Sequence, residues 1–215
     1  MKPVTKLMWL ATLVIISANT QSLFAQSKAD IFDESKPITW LGVDFSQTKF
    51  IGTPSQFKEF GTITNDEFRY KYADGWNMLF VNEQKKYDVA RAVHRGSINY
   101  AIDVTQKTNN ALKKDFFSNN PGDFKKLTEQ DISNVVKNYD FQNNTGTGLM
   151  FFVEGMSKGM ESMGIWVTFV DMKSKTMLLT VYQTSKPGGF GFRNYWAKPL
   201  YTTLKEMEHN FMTWK

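Results

Sequence analysis

The 215 residues contain no cysteine, so a non-covalent core is the only means of holding this chain together. The absence matters because the first residues read as an export signal, and small exported domains commonly depend on disulfides. Lys2 and Lys6 precede an apolar run from Leu7 to Ala18, a polar stretch follows, and Leu23-Phe24-Ala25 offers a small residue at the cut. A basic start, a hydrophobic middle and a small-residue cleavage site make a secretory signal peptide. The run is shorter than the ~20 apolar residues that a membrane span requires. Residues 1–25 are therefore expected to be removed, leaving a mature chain from Gln26 to Lys215 without a transmembrane segment. No cysteine stands at the cut to accept a lipid, so the expected product is soluble, either periplasmic or extracellular.

Residues 26–36 form a polar leader, and residues 37–215 suit one domain with one core. The aromatic content of 15%, with 18 Phe, 8 Tyr and 6 Trp, supplies that core, since each ring buries ~150–250 Å² when enclosed. Removing Lys2 and Lys6, in a segment without acids, lowers the formal charge from +5 to +3. The remaining cations are scattered among acids, as in Lys85-Lys86, Lys113-Lys114 and Lys125-Lys126, which reads as solvated faces and not as a nucleic-acid surface.

Ile38 to Phe45 is rich in β-formers and bounded by Pro37 and Ser46, which predicts the first strand, with Lys49 to Gly52 continuing or flanking it and Pro54 marking a loop. Thr64 with Glu67 makes a capping box, and Phe68, Tyr72, Trp76 and Leu79 recur at helical spacing, so an amphipathic helix is expected to end near Gln84. Asp88 to His94 reads as another helical turn, with Gly96 as its stop. Ile98, Tyr100, Ile102 and Val104 alternate with Asn99, Ala101 and Asp103, which predicts a second strand; Thr105 to Leu127 reads as a polar surface excursion. Thr128 and Asp131 cap a helix through Tyr139. Three apolar runs, 148–156, 164–171 and 176–184, predict neighbouring strands, the first apolar on both parities as if covered on both faces. A final helix carries Trp196, Leu200, Leu204, Met207, Phe211 and Trp214 in one stripe, with Pro199 implying a kink or a later start. The order β-α-β-α-β-β-β-α defines an α/β fold, a mixed sheet of about five strands flanked by helices.

That order, the opening Ile38–Phe45 strand, and the wording Phe152-Val153-Glu154-Gly155 followed by Trp166 to Leu179 resemble an envelope superfamily. It includes the curli-secretion subunit, the lipoprotein activators of penicillin-binding proteins and the N-terminal domain of the Tol translocation protein. Many members carry an acylated cysteine, and this chain has none. The stretch from Gly188 to Trp196 is similar to that of uncharacterised exported bacterial proteins. Such a likeness implies a fold and an envelope setting without implying a reaction.

Chemistry-bearing constellations are sparse. Only His94 and His209 could serve a nucleophile, no Gly-x-Ser-x-Gly elbow occurs, and His209 sits where a cation complements a helix C-terminus. Asp44, Asp103, Glu154 and Asp171 lie on or beside expected strands and could in principle pair for glycoside cleavage. Met156, Met160, Met163, Met172 and Met177 offer soft sulfurs for cuprous copper, although methionine is more commonly core filler. Two histidines and no cysteine make a poor zinc set, and no metal or cofactor is expected. The bend Pro187-Gly188-Gly189-Phe190-Gly191 precedes a helix, exposing backbone N–H groups to an anion, though it lacks the Walker lysine and the full dinucleotide spacing. Arg193, Asn194, Tyr195 and Trp196 are therefore the expected binding residues. The sequence favours a non-enzymatic exported binding or interaction domain whose partner is an envelope protein or glycan. The alternative is a carbohydrate-directed protein using exposed aromatics or a carboxylate pair, and a weaker third reading is a phosphate enzyme built on the glycine bend.

Overall fold

The computed structural model describes residues 25–53 and 62–215. The expected signal peptide up to Phe24 and the loop expected at Pro54 lie outside the described residues. Along the chain run α1 (Lys28–Ile31), β1 (Ile38–Asp44), β2 (Lys49–Ile51), α2 (Asn65–Glu67), a π-helical segment Phe68–Ala73, α3 (Asp74–Asn82) and α4 (Val89–Ala92). There follow β3 (Asn99–Tyr100), α5 (Asp103–Ala111), β4 (Phe117–Ser118), α6 (Glu129–Lys137), β5 (Thr147–Ser157), β6 (Ser162–Asp171), β7 (Thr176–Ser185) and α7 (Phe192–Asn210). The mixed α/β architecture expected from the sequence is present. No helix among the described residues is long and apolar enough to cross a membrane.

The spine of the sheet is β5, all eleven residues of which are buried. One edge of β5 pairs in parallel with β1 along Thr147–Phe152 and with β2 along Gly155–Ser157, so β1 and β2 share one lane end to end. Outside that lane, β3 pairs in parallel with β1 and β4 with β2. The other edge of β5 pairs antiparallel with β6, which pairs antiparallel with β7. Leu149, Phe151 and Val153 point to one core, shared with α1, α3, α4 and α7, while Met150 and Phe152 point to a second core shared with α5 and α6. Apolar residues on both parities thus reflect helices on both faces, as the sequence suggested.

Helix starts follow their caps. The Thr64 hydroxyl accepts from the Glu67 N–H at 3.1 Å while the Glu67 carboxylate takes the Thr64 N–H at 3.2 Å, and Thr128 with Asp131 repeats the device at α6.

Two expectations are corrected between Ile98 and Leu127. Only Asn99 and Tyr100 of the expected strand pair with β1, after which α5 begins at Asp103. The presumed surface excursion holds α5, β4 and a 3₁₀ turn Pro121–Phe124, with Phe116 and Phe124 buried. The physical reason is a row of polar side chains that takes over where β3 stops. The Thr105 hydroxyl donates to the Leu41 carbonyl at 2.7 Å. Asn77 accepts from the Val43 N–H at 2.7 Å and donates to the Val43 carbonyl at 2.9 Å. Asn109 donates to the same carbonyl at 2.9 Å and accepts from the Phe45 N–H at 2.8 Å. All three side chains are buried, so these amides and hydroxyl replace a strand partner for β1.

Candidate functional site

The start of α7 is fixed by aromatic packing. Phe192 meets Tyr72 with ring centroids 4.5 Å apart and Trp196 meets Phe50 edge-on at 5.6 Å, both α7 rings being buried. Burying such rings is worth on the order of 4 kcal/mol apiece before ordering costs. The Trp76 indole N–H also donates to the Arg193 carbonyl at 2.9 Å, joining α3 to the first turn of α7.

Pro199 has a role different from the kink or late start that its position suggests. It lies inside α7 and is buried. Having no N–H, it leaves the carbonyl of Tyr195, four residues back, without its helical donor. The Gly188 N–H donates to that carbonyl at 3.0 Å. The proline thereby provides the acceptor that pins the glycine bend against the helix, while Gly189 and Gly191 take φ of 106° and 83° to make the turn. Replacing Pro199 with alanine restores a competing N–H. We expect the fold to persist and the Gly188 amide to lose protection from hydrogen exchange, which amide exchange on the two proteins would read.

The bend, one side of α7 and the end of α3 enclose a cleft of about 380 Å³. Lys86, Arg193 and Lys198 line it with one acid, Glu83, and none of the four is in an ion pair among the described residues. The Lys86 ammonium lies 5.2 Å from the Tyr87 ring centre and 6.0 Å from that of Tyr201, which holds it at the wall. Tyr87 is 1% exposed and lines the cleft; its hydroxyl makes no hydrogen bond among the described residues. Burial, followed by the nearby Glu83, pushes that hydroxyl up to about 12, with Arg193 opposing. It is a neutral donor at ordinary pH. The α7 N-terminus carries no side-chain cap, so its backbone adds positive potential on the same side. Of the four expected binding residues, Arg193 and Asn194 line this cleft; Tyr195 is half-buried and Trp196 lies in the core.

A larger cleft of about 680 Å³ lies between α5 and α6, with Ala111, Leu112, Val135 and Tyr139 in its walls. Its rim charges, Lys107 and Asp140, pair with each other at 2.9 Å. Beneath it the Tyr139 hydroxyl turns inward to donate to Asp44 at 2.5 Å, and the Ser46 N–H donates to the same carboxylate at 2.7 Å. Lys114, pulled down to about 8 by burial and then by Lys49, donates to the Ser46 carbonyl at 2.8 Å. The polar groups here are spent on one another, which makes this a structural knot under an apolar groove.

Burial raises the Asp44 carboxyl above its ordinary range, against the hydrogen bonds from Ser46 and Tyr139. A raised folded-state value means that its contribution to stability is complete below the unfolded value and is lost as pH rises through the folded one. Asp44→Asn keeps an acceptor for Ser46 and supplies a donor for Tyr139. We therefore expect it to match or exceed the wild type in urea resistance near neutral pH, and to remove this group's share of the gain on acidification. Urea midpoints across pH measure both.

The other candidate residues fall elsewhere. Glu154 is buried, accepting from the backbone N–H groups of Lys126 and Leu127 and from the Trp166 indole. Asp171 is buried, taking the Ser174 hydroxyl and backbone of the turn after β6. Asp103 begins α5. None of these, nor Asp44, lines either cleft. Met156 and Met163 are cross-strand partners in one core, whereas Met172 and Met177 belong to the other. His94 contacts the Glu208 carbonyl at 2.9 Å, and His209 stands in the last turn of α7. Trp40, Trp76, Trp166 and Trp196 are buried, so the large exposed ring near the cleft is Phe190, at 83% exposure.

Glu83, Lys86 and Tyr87 are not evident from the sequence, where the Lys85-Lys86 pair reads as a solvated face. No protein-family model matches this chain, and no curated protein matches it.

Proposed function

We propose that the mature chain is an exported, non-enzymatic binding domain of the periplasm or cell envelope, and that the cleft at the start of α7 holds an oxyanion carried by an envelope protein or glycan. The observation that carries this reading is the convergence of Lys86, Arg193 and Lys198 on one cleft with a single acid, none of the four in an ion pair among the described residues. Cations in a concave site that form no ion pair among the described residues favour an incoming carboxylate, phosphate or sulfate, and a guanidinium can take two of its oxygens at once. The Tyr87 hydroxyl adds a neutral donor. The envelope setting rests on the signal-peptide pattern and on the resemblance drawn from residues 38–45 and 152–179.

The test is thermal unfolding of residues 26–215 with pyrophosphate, phosphate, sulfate or glucuronate. The reading expects anion-dependent stabilisation that weakens with added sodium chloride. Equal melting with and without every anion would overturn it. Phe190 supports a second reading, a saccharide ligand stacked on that ring. Stabilisation by neutral oligosaccharides that is unaffected by salt and lost in Phe190→Ala would favour it.

A further inference from the structure

Gln26 occupies an unusual place for the residue after an expected cut. Its backbone N–H donates to the Asp171 carboxylate at 3.2 Å, and its side-chain carbonyl accepts from the Thr147 hydroxyl at 3.1 Å. Asp171 is 2% exposed, at the end of β6, and Thr147, its register partner, opens β5. Ala25 is exposed and Gln26 half-buried. The preceding peptide bond thus stands at the surface while the nitrogen that it would release already faces a buried carboxylate.

We propose that cleavage between Ala25 and Gln26 creates a working structural group, an α-ammonium that pairs with Asp171 and closes the β5–β6 end of the sheet. This rests on the reading that the leader is removed after Ala25. A leader peptidase adds one water across that bond: the C–N bond breaks, the water oxygen stays on Ala25 as its new carboxylate, and the Gln26 nitrogen keeps its own hydrogen and takes both of the water's to become an ammonium. The neutral amide donor becomes a charged one, and charge-assisted hydrogen bonds are roughly twice as strong as neutral ones. The pair also satisfies a carboxylate whose other partners among the described residues, the Ser174 hydroxyl and the Lys173 and Ser174 N–H groups, are neutral. While the leader is attached the ammonium is absent, so the precursor is the less stable form.

Three forms of the domain test this, all with Thr147 and Asp171 intact: one starting at Gln26 with a free amine, one retaining Leu23–Ala25, and one in which Gln26 has been cyclised. In cyclisation the amine attacks the side-chain amide carbon and ammonia leaves, so the charge is lost. The free-amine form is expected to have a folding equilibrium constant roughly five- to tenfold larger than the other two in urea. In Asp171→Asn the advantage of the free amine disappears. Coincident urea curves for all three forms with Asp171 present would overturn the proposal. The mass of the protein recovered from the periplasm tests the export reading separately. A chain beginning elsewhere sinks that reading and the proposal's biological relevance, while coincident curves with a Gln26 start sink the pairing alone.

Discussion

Gly42→Ala is expected to lower the urea midpoint of the domain far below that of the wild type. Gly42 takes φ of 102° at the bulge between Trp40 and Gly42, and a Cβ built there would overlap the Thr105 hydroxyl and the Asn77 amide oxygen. Those two atoms are the partners of the Leu41 carbonyl and the Val43 N–H. An alanine must therefore do more than tolerate a left-handed backbone, which costs ~1–2 kcal/mol. It also displaces groups whose loss leaves buried backbone atoms unpaired at ~1–3 kcal/mol each. The combined loss, on the order of 4 kcal/mol, is a large fraction of the stability of an ordinary domain. Urea denaturation followed by far-ultraviolet circular dichroism would read it. A midpoint within error of the wild type would mean that the polar seal along β1 is not as described. Asn77 and Asn109 lie behind the same seal, so their substitutions should not add independently to Gly42→Ala.

Arg193→Glu is the second large effect, on binding and not on stability. Arg193 is exposed and its guanidinium is in no ion pair among the described residues, so the fold loses little when it changes. Its backbone carbonyl, the part that anchors Trp76, is retained. In the cleft the substitution removes a charge-assisted donor and places a second carboxylate beside Glu83. Affinity for pyrophosphate should fall roughly 100-fold, with the urea midpoint unchanged. Lys198→Glu should act in the same direction, and the double variant should abolish salt-sensitive binding. Retained affinity in Arg193→Glu would move the site elsewhere.

The legible parts of the fold were those in which apolar residues did the organising. The runs that became β5, β6 and β7 were bounded within a residue or two, and the stripe from Trp196 to Met207 was a buried face of α7, carried on by buried Phe211 and half-buried Trp214 in a 3₁₀ turn, because hydrophobic periodicity reports burial directly. Thr64 and Thr128 marked helix starts because a cap is a local interaction. The segment from Ile98 to Leu127 was misread for the opposite reason. Thr105 and Asn109 are polar and buried, serving backbone atoms of a strand more than sixty residues away, and polarity alone reads as solvent exposure. Lys114 was hidden in the same way, its pairing with Lys113 suggesting a solvated face while its amine turns to the Ser46 carbonyl.

The candidate site was half legible. A glycine bend before a helix pointed to Arg193 and Asn194 through local geometry. Glu83, Lys86 and Tyr87 come from the turn that follows α3, more than a hundred residues earlier, and only the packing of α3 on α7 brings them together. Trp196, expected in the site, instead forms the floor that fixes α7.

The most direct test of the cleft is a backbone amide nuclear magnetic resonance titration of residues 26–215 with pyrophosphate at low ionic strength. The account predicts saturable shifts centred on Gly188, Gly189, Arg193, Asn194 and Tyr87, reversed by salt. Shifts centred instead on Ser46, Leu112 and Tyr139, or no saturable shift at all, would contradict it.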